Sequence, residues 1–187
     1  MPDHRVLIVC FDALRPDMAT PQLVPNLHRF ASSGVYWPDA HSTFPTETRV
    51  NQAALVTGCY PGLHGIVGNK FVDPIAAPGQ IFNTGIEEQL RDGDERLDGK
   101  LLGVPSMGEF LKGAGKVYAS LSAGTPGGGR ILNHKAETVG GFRMALHAPE
   151  ATVAPGGLAA VKEKVGDFPD YEIPSMEWNR YATDIYL

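Results

Sequence analysis

Apolar runs and helical periodicity alternate along the first third of the chain. Residues 6–11 are six consecutive apolar side chains that end abruptly at Asp12, a pattern typical of a strand buried on both faces. Apolar positions at helical spacing follow in residues 20–35. A second helical pattern covers residues 48–57 and ends before Gly58, a residue type that favours the left-handed helix terminus. The pattern predicts a buried strand and two helices.

The next stretch of the chain shows a weaker alternation. Residues 68–103 lack sustained periodicity and are rich in Pro, Gly and charged residues, so we predict a long loop excursion there. A helix capped by Ser106 and a strand at residues 116–122 follow. The glycine-rich stretch 124–130 lacks the terminal GK[ST] of a phosphate-binding loop and predicts a turn. Residues 136–172 are rich in turn-forming residues.

A last helical pattern follows Ser175 and reaches Leu187 without a stop signal. Its apolar positions are Trp178, Tyr181, Ala182 and Ile185. The alternation of strands and helices contains only two or three clear strands, which indicates an incomplete sheet. We therefore expect the chain to be the first part of a larger protein. The apolar face of the last helix should then be partly uncovered.

Composition and charge exclude several function classes. A chain of 187 residues with 43% hydrophobic content fits one globular domain, and 16 Lys and Arg against 21 Asp and Glu provide no basic stripe for a nucleic-acid polymer. No apolar run reaches the roughly 18 residues of a membrane span, and no charged-then-apolar leader opens the chain. We expect a soluble, cytoplasmic polypeptide without a membrane partner, exported only if a leader had been removed; its oligomeric state stays open.

Four blocks in about the first 75 residues resemble the type I phosphodiesterase/nucleotide pyrophosphatase family of the alkaline phosphatase superfamily. The first lies in VLIVCFDALRPD and the second in VPNLHRFASSGV, and the third and fourth follow each other in PTETRVNQAALVTGCYPGLHGIVGNKFVDP. The resemblance implies an α/β fold, an alkaline-phosphatase-like α/β/α sandwich with a mostly parallel central sheet. Residues 1–187 would be the N-terminal part of a single catalytic domain of this type, with an incomplete sheet.

The same resemblance assigns site residues. Thr48 matches the family's nucleophile in the pattern T-x-x-N-x-x-x-x-V-T-G, in which Asn51 is the Asn and would donate to a phosphate oxygen. Asp12 matches a metal ligand and Thr48 would be another, so the implied cofactors are two divalent metal ions, expected to be zinc. Asn69 lies in a matching place and is assigned to substrate binding. Arg49 replaces the family's usual aromatic residue and would contact a charged substrate group.

The chemistry of these residues agrees with the assignment. A threonine hydroxyl needs a base or a metal ion before it can attack phosphorus. The N-terminus of the helix that begins at Thr48 would add N–H groups and a positive dipole end for a phosphate. Taken alone, Asp12 is more often a turn residue and Thr48 more often a helix cap. Their combination at the family's spacing favours the functional interpretation. Two interpretations of His64 stay open, namely a structural hydrogen bond and support of the site.

The implied activity is metal-dependent hydrolysis of phosphodiester, pyrophosphate or related phosphate-ester bonds through a phospho-threonine intermediate, with a small phosphate-ester or nucleotide-like substrate. Two alternatives remain. One is a phosphonate or sulfate-ester hydrolase of the same superfamily, and the other is a non-catalytic domain that kept the fold. The family's D-x-x-x-H ligand pair has no match in the sequence. We therefore expect the 187 residues alone to bind zinc weakly and to be inactive, with the other ligands supplied by a longer reading frame.

Overall fold

A computed structural model describes residues 4–170, 172 and 174–187 as a mixed α/β structure with small sheets. Two units divide the chain, Met1–His41 and Ser42–Leu187. The helices are α1 (Pro25–Ser32), α2 (Thr48–Thr57), α3 (Pro61–His64), α4 (Glu87–Arg96), α5 (Met107–Gly113), α6 (Pro126–Leu132), α7 (Ala136–Val139), α8 (Gly157–Val165) and α9 (Met176–Tyr186). The strands are β1 (Lys70–Val72), β2 (Ile81–Asn83), β3 (Ala119–Ser122) and β4 (Phe142–Ala145). Within the described part, each helix is too short or too polar to cross a bilayer.

The first unit corrects one prediction and confirms another. Residues 4–10 form no regular secondary structure, and Val6 is 84% exposed, so the predicted strand at 6–11 is wrong for this structure. A strand buried on both faces requires neighbouring strands and covering layers, and the described residues of this unit include no other strand. Helix α1 confirms the second pattern, with Pro25 in its first turn.

Helix α2 anchors the core of the second unit. It begins and ends as the sequence predicts, and Gly58 closes it in the left-handed conformation with φ 67°. Its inward positions Val50, Ala53 and Val56 are buried. They pack in a cluster with Ile66, Ala76, Ala77, Phe82, Leu90, Leu101, Leu102 and Ile131. Because this face is fixed in the core, the first residue of the helix is held at the surface.

The predicted loop excursion at 68–103 is wrong. It contains an antiparallel hairpin, in which β1 pairs with β2 and Lys70 lies opposite Asn83, followed by helix α4. Three-residue strands are too short to show a period of two, and only Glu87, Leu90 and Gly93 of α4 are buried. The sequence signal was therefore weak. At the open end of the hairpin, the backbone N–H of Thr84 donates to the carbonyl of Asn69 at 3.0 Å.

The predicted turn at 124–130 is also wrong, because Pro126–Leu132 form helix α6. Thr125 caps this helix by accepting from the N–H of Gly128 at 3.3 Å. Its glycines permit a very close approach to the preceding hairpin: a Cβ on Gly127 would lie 2.2 Å from the carbonyl oxygen of Thr84. Tertiary packing therefore overrides the low helix propensity of glycine.

A parallel sheet and a second apolar cluster form the C-terminal part. Strand β3 confirms the predicted strand in part, and it pairs in parallel with β4, which lies in the stretch interpreted as turns. Helix α9 confirms in part that its apolar face is partly uncovered, because Trp178, Ala182 and Ile185 are only half-buried. Tyr181 is 6% exposed, and Trp178, Ala182 and Ile185 pack with it against Met144 and Leu146. The apolar surface that covers α9 belongs to β4 and the residue after it, in a segment that the sequence predicted to be turns.

Burial of His134 predicts a loss of stability in acid. Desolvation, the largest cause, lowers the pKa of His134 to about 4, and neighbouring Lys135 adds to this effect. Because the unfolded chain binds this proton near pH 6.5, stability is fully present above that pH and is lost as the pH falls towards 4. A pKa shift of this size corresponds to a contribution on the order of 3 kcal/mol to the free energy of unfolding, which is present above pH 6.5 and lost in acid.

Unfolding measured between pH 7 and 4 should therefore become less pH-dependent in His134→Gln. Burial also lowers the pKa of His64, so part of the slope remains. The matched control is His28→Gln, which makes the same substitution at an exposed histidine. An unchanged slope in His134→Gln would show that other groups cause the acid sensitivity.

Candidate active site

Thr48 is the first residue of α2, and its side chain is exposed. The preceding residue, Glu47, is extended with φ −122° and ψ 146°, and its side chain makes no capping bond to the helix. Thr46, two residues before Thr48, is exposed as well. The hydroxyl of Thr48 thus lies at the positive end of a ten-residue helix, where a phosphate group is stabilised.

Asn51 holds the segment that precedes α2. Its Oδ1 accepts from the backbone N–H of Thr43 at 2.8 Å and from the Thr43 hydroxyl at 3.1 Å. Its Nδ2 donates to the carbonyl of Glu47 at 3.0 Å and, at 3.4 Å, to those of Thr43 and Pro45. These contacts fix the 43–47 segment, and the donation of Asn51 to a substrate oxygen stays a prediction.

Asn69 is fixed by hydrogen bonds beside the first turn of α2. Its Oδ1 accepts from the backbone N–H of Arg49 at 3.2 Å, and its own backbone N–H donates to Oε2 of Glu47. Its carbonyl accepts from the hydroxyl of Thr84 at 2.9 Å. Across the described residues, no protein atom accepts from Nδ2 of Asn69. This Nδ2 can therefore donate to a ligand bound next to Thr48.

The Arg49 side chain lies over the end of the hairpin. Its Nε donates to the hydroxyl of Thr84 at 3.0 Å. Burial lowers the pKa of Arg49, and the charge of Glu47 partly offsets that effect. None of the described carboxylates lies within 4.0 Å of the guanidinium, so it is half-buried without an ion-pair partner. Such a guanidinium suits an anionic ligand.

His64 has a structural position. It is fully buried, and its Nδ1 accepts from the N–H of Ile66 at 3.2 Å, just after the end of α3. Burial lowers the pKa of its imidazole, so the ring is neutral at pH 7. Of the two interpretations that we held for His64, this contact favours the structural one.

The predicted metal ligands lie in different units. Asp12 is exposed in a turn of the first unit, whereas Thr48 belongs to the second. Over residues 4–170, 172 and 174–187, no three His, Cys, Asp or Glu side chains form a group that could hold a metal ion. Catalytic zinc sites take three protein ligands. The described residues therefore do not complete a zinc site by themselves, and the two-metal site stays a prediction.

A charged cleft of about 350 Å³ shares no lining residue with this site. Its walls carry two buried arginines that are already paired: Arg130 lies 2.7 Å from Glu87, and Arg143 lies 2.6 Å from Glu137. Because each guanidinium has a carboxylate partner, we assign the cleft to the packing of α4, α6 and β4. The cleft therefore does not replace the N-terminus of α2 as the candidate site.

Sequence reasoning missed Glu47 and Thr84, which make the hydrogen bonds that fix Asn69. Glu47 immediately precedes the predicted nucleophile, and that adjacency was the one available signal. Thr84 lies inside the segment predicted as a loop, where no periodicity marked it as buried.

Comparison with known proteins identifies the family of this chain. The model of the family described as type I phosphodiesterase / nucleotide pyrophosphatase matches residues 6–122. The chain is 36% identical over 87 residues to an uncharacterized pyrophosphatase/phosphodiesterase of Schizosaccharomyces pombe, a match that covers 46% of this chain and 18% of that protein. It is 37% identical over 79 residues to a bis(5'-adenosyl)-triphosphatase of Xenopus laevis, covering 42% and 17%.

A third relative is the human ectonucleotide pyrophosphatase/phosphodiesterase family member 5, 39% identical over 75 residues, covering 40% of this chain and 16% of that protein. The matched segment thus spans less than a fifth of each of these relatives. No solved structure matched the chain. Since the family model covers more than half of its residues, the chain belongs to the type I phosphodiesterase / nucleotide pyrophosphatase family.

Proposed function

We propose that this chain supplies the nucleophile and a phosphate-binding donor of a hydrolase that cleaves phosphodiester or pyrophosphate bonds. The observation that carries the proposal is the position of Asn69. Its Oδ1 accepts from the N–H of Arg49, the residue after Thr48, which leaves Nδ2 for a ligand at the helix N-terminus. The hydroxyl at this helix end can attack a phosphorus atom. The fixed amide donor beside it can stabilise the negative charge that develops on a phosphate oxygen during the attack.

The proposed reaction has two displacements. In the first, Oγ of Thr48 forms a bond to phosphorus, the bond from phosphorus to the leaving alcohol or phosphate breaks, and the hydroxyl proton ends on the leaving oxygen. In the second, water attacks phosphorus, the threonine oxygen leaves with a proton, and the phosphate product departs. Nδ2 of Asn69 donates to a non-bridging oxygen in both steps. The N-terminus of α2 stabilises the same charge.

Two divalent metal ions, expected to be zinc, remain part of the proposal as prospective activators of the nucleophile. Asp12 and Thr48 would be ligands. The described residues do not complete such a site, so none of the steps above depends on one.

For the fold, we propose an alkaline-phosphatase-like α/β/α sandwich, of which the two small sheets would be parts. The substrate would be small and nucleotide-like, as the name of the Xenopus relative indicates for that protein. Arg49 would bind an anionic group of the substrate, because its half-buried guanidinium has no carboxylate partner within the described region. The contact from Arg49 would take the place of a contact from the aromatic residue that the family usually has at this position.

The test compares ester classes. The gene product that carries this sequence, assayed with Zn²⁺, should hydrolyse bis(p-nitrophenyl) phosphate with a higher kcat/KM than p-nitrophenyl sulfate or a p-nitrophenyl phosphonate ester. A preference for the sulfate or the phosphonate would support the corresponding alternative hydrolase. Hydrolysis of none of the three would support a non-catalytic domain.

A further inference from the structure

The geometry points to Glu47 and Thr84 as positioning residues that fix Asn69 for transition-state stabilisation. This inference rests on the proposed function, because it concerns the donor beside the nucleophile. Neither side chain is expected to touch substrate. Each acts by removing freedom from Asn69, so that its Nδ2 is already oriented when charge develops on the phosphate.

Glu47 holds the backbone of Asn69 from the side of the nucleophile. Its Oε2 accepts from the Asn69 N–H, which is 22 residues further along the chain. The same carboxylate makes no capping bond to α2, so its side chain is not needed to start the helix. The contact therefore ties the residue before Thr48 directly to the loop that carries Asn69.

Thr84 holds Asn69 from the opposite side. Its backbone N–H donates to the Asn69 carbonyl at 3.0 Å, and its hydroxyl donates to the same oxygen at 2.9 Å. The hydroxyl also accepts from Nε of Arg49 at 3.0 Å. Thr84 is fully buried, so this hydroxyl has no access to water and depends on these partners and on the carbonyl of Gly68, a more distant acceptor at 3.3 Å.

Together these contacts leave Asn69 one uncommitted polar atom. Its N–H, its carbonyl and its Oδ1 are bound by Glu47, Thr84 and the N–H of Arg49 respectively. Since Oδ1 is an acceptor for Arg49, the orientation of the side-chain amide is fixed and Nδ2 is the atom left to donate. A donor of this kind contributes about 10²- to 10³-fold to kcat in other enzymes, and a misplacement of about 1 Å costs about 10²-fold.

The Glu47 pair of variants separates positioning from acid–base chemistry. Glu47→Gln keeps an oxygen that can accept from Asn69, whereas Glu47→Ala removes it. We expect Glu47→Ala to lower kcat of the gene product about 10-fold or more with little change in KM, and Glu47→Gln to restore most of it. Equal losses in both variants would mean that the negative charge matters, as for a general base, and would overturn the inference. Glu88→Ala, at an exposed residue of α4, is the matched control.

A double-mutant cycle tests whether Glu47 acts through Asn69. Asn69→Ala should lower kcat about 10²-fold, and adding Glu47→Ala to it should cause little further loss. Losses that multiply would show that the two residues act independently and would contradict the inference. Thr84→Ser, which keeps the hydroxyl, should likewise retain more activity than the nearly isosteric Thr84→Val; equal activity would remove Thr84 from the proposal.

Failure of this inference differs from failure of the proposed function. If Thr48→Ala keeps its turnover, the nucleophile is wrong and the proposed function fails. If Thr48→Ala is inactive but Glu47→Ala is as active as the unaltered protein, only the positioning role is wrong.

Discussion

Thr48→Ala is expected to lower the kcat of the gene product that carries this sequence by at least about 10³-fold, because the covalent step depends on that one oxygen. Deletion of the nucleophile in other covalent enzymes causes losses of this size or larger. Thr48 is exposed, so the free energy of unfolding should change by no more than about 0.5 kcal/mol. Steady-state kinetics and chemical denaturation of the same preparation measure both quantities.

The controls for this prediction are Thr46→Ala and Thr48→Ser. Thr46 is also an exposed threonine, two residues earlier, and its removal should leave most of the turnover. Thr48→Ser retains a hydroxyl at the same position and should keep more activity than Thr48→Ala. Comparable losses in Thr46→Ala and Thr48→Ala would contradict the assignment of the nucleophile.

Gly127→Ala is expected to destabilise the fold by about 4 kcal/mol, at the upper end of single-substitution effects. A methyl group at this position would lie 2.2 Å from the carbonyl oxygen of Thr84 and 2.8 Å from the carbonyl carbon of Gly85. Both atoms belong to backbone, so the strain cannot be relieved by a side-chain rotation. The N–H of Gly127 also donates to the carbonyl of Gly85 at 3.0 Å, and a shift of α6 would break that bond.

Urea denaturation of Gly127→Ala and of a control, Gly113→Ala, measures this effect. Gly113 ends α5, and a methyl group there would meet nothing within 4 Å. Gly113→Ala should therefore be neutral or more stable by up to about 1 kcal/mol, as expected from helix propensity. A Gly127→Ala protein as stable as the control would show that α6 does not pack closely against Thr84.

Helix ends were predictable where the signal is local. Gly58 ends α2 because it reaches positive φ at little cost, and Ser106 begins α5 through a capping box with Glu109. Both signals need only residues within one helical turn. The sequence therefore predicts these boundaries without knowledge of the tertiary structure.

The elements that were missed depend on distant contacts. The strands of the 70–83 hairpin have three residues each, and α6 is helical despite three consecutive glycines. Their stability comes from packing on α2 and α4, which no local pattern reports. The opposite error concerns residues 6–11, where an apolar run predicts a strand although its side chains are exposed in this structure.

In the candidate site, too, some residues could be predicted from the sequence and others are revealed only by the tertiary structure. Thr48 and Asn69 could be proposed from the spacing of a family pattern, and the structure places Asn69 next to the residue that follows Thr48. Glu47 and Thr84 reach Asn69 across 22 and 15 residues of sequence, so spacing could not identify them. Asn51 was assigned to the phosphate from the same family pattern, and the pattern does not report that its amide also binds the preceding segment.

The hydroxyl of Thr48 is expected to become covalently bound to phosphorus during turnover. The most direct measurement is a rapid acid quench of the gene product with a phosphodiester substrate, followed by mass spectrometry of the peptide that spans residues 42–66. We predict a mass increase on Thr48 equal to the phosphoryl group and the alcohol it retains, together with a burst of the first product. An adduct on another residue, or turnover with neither burst nor adduct, would contradict the claim.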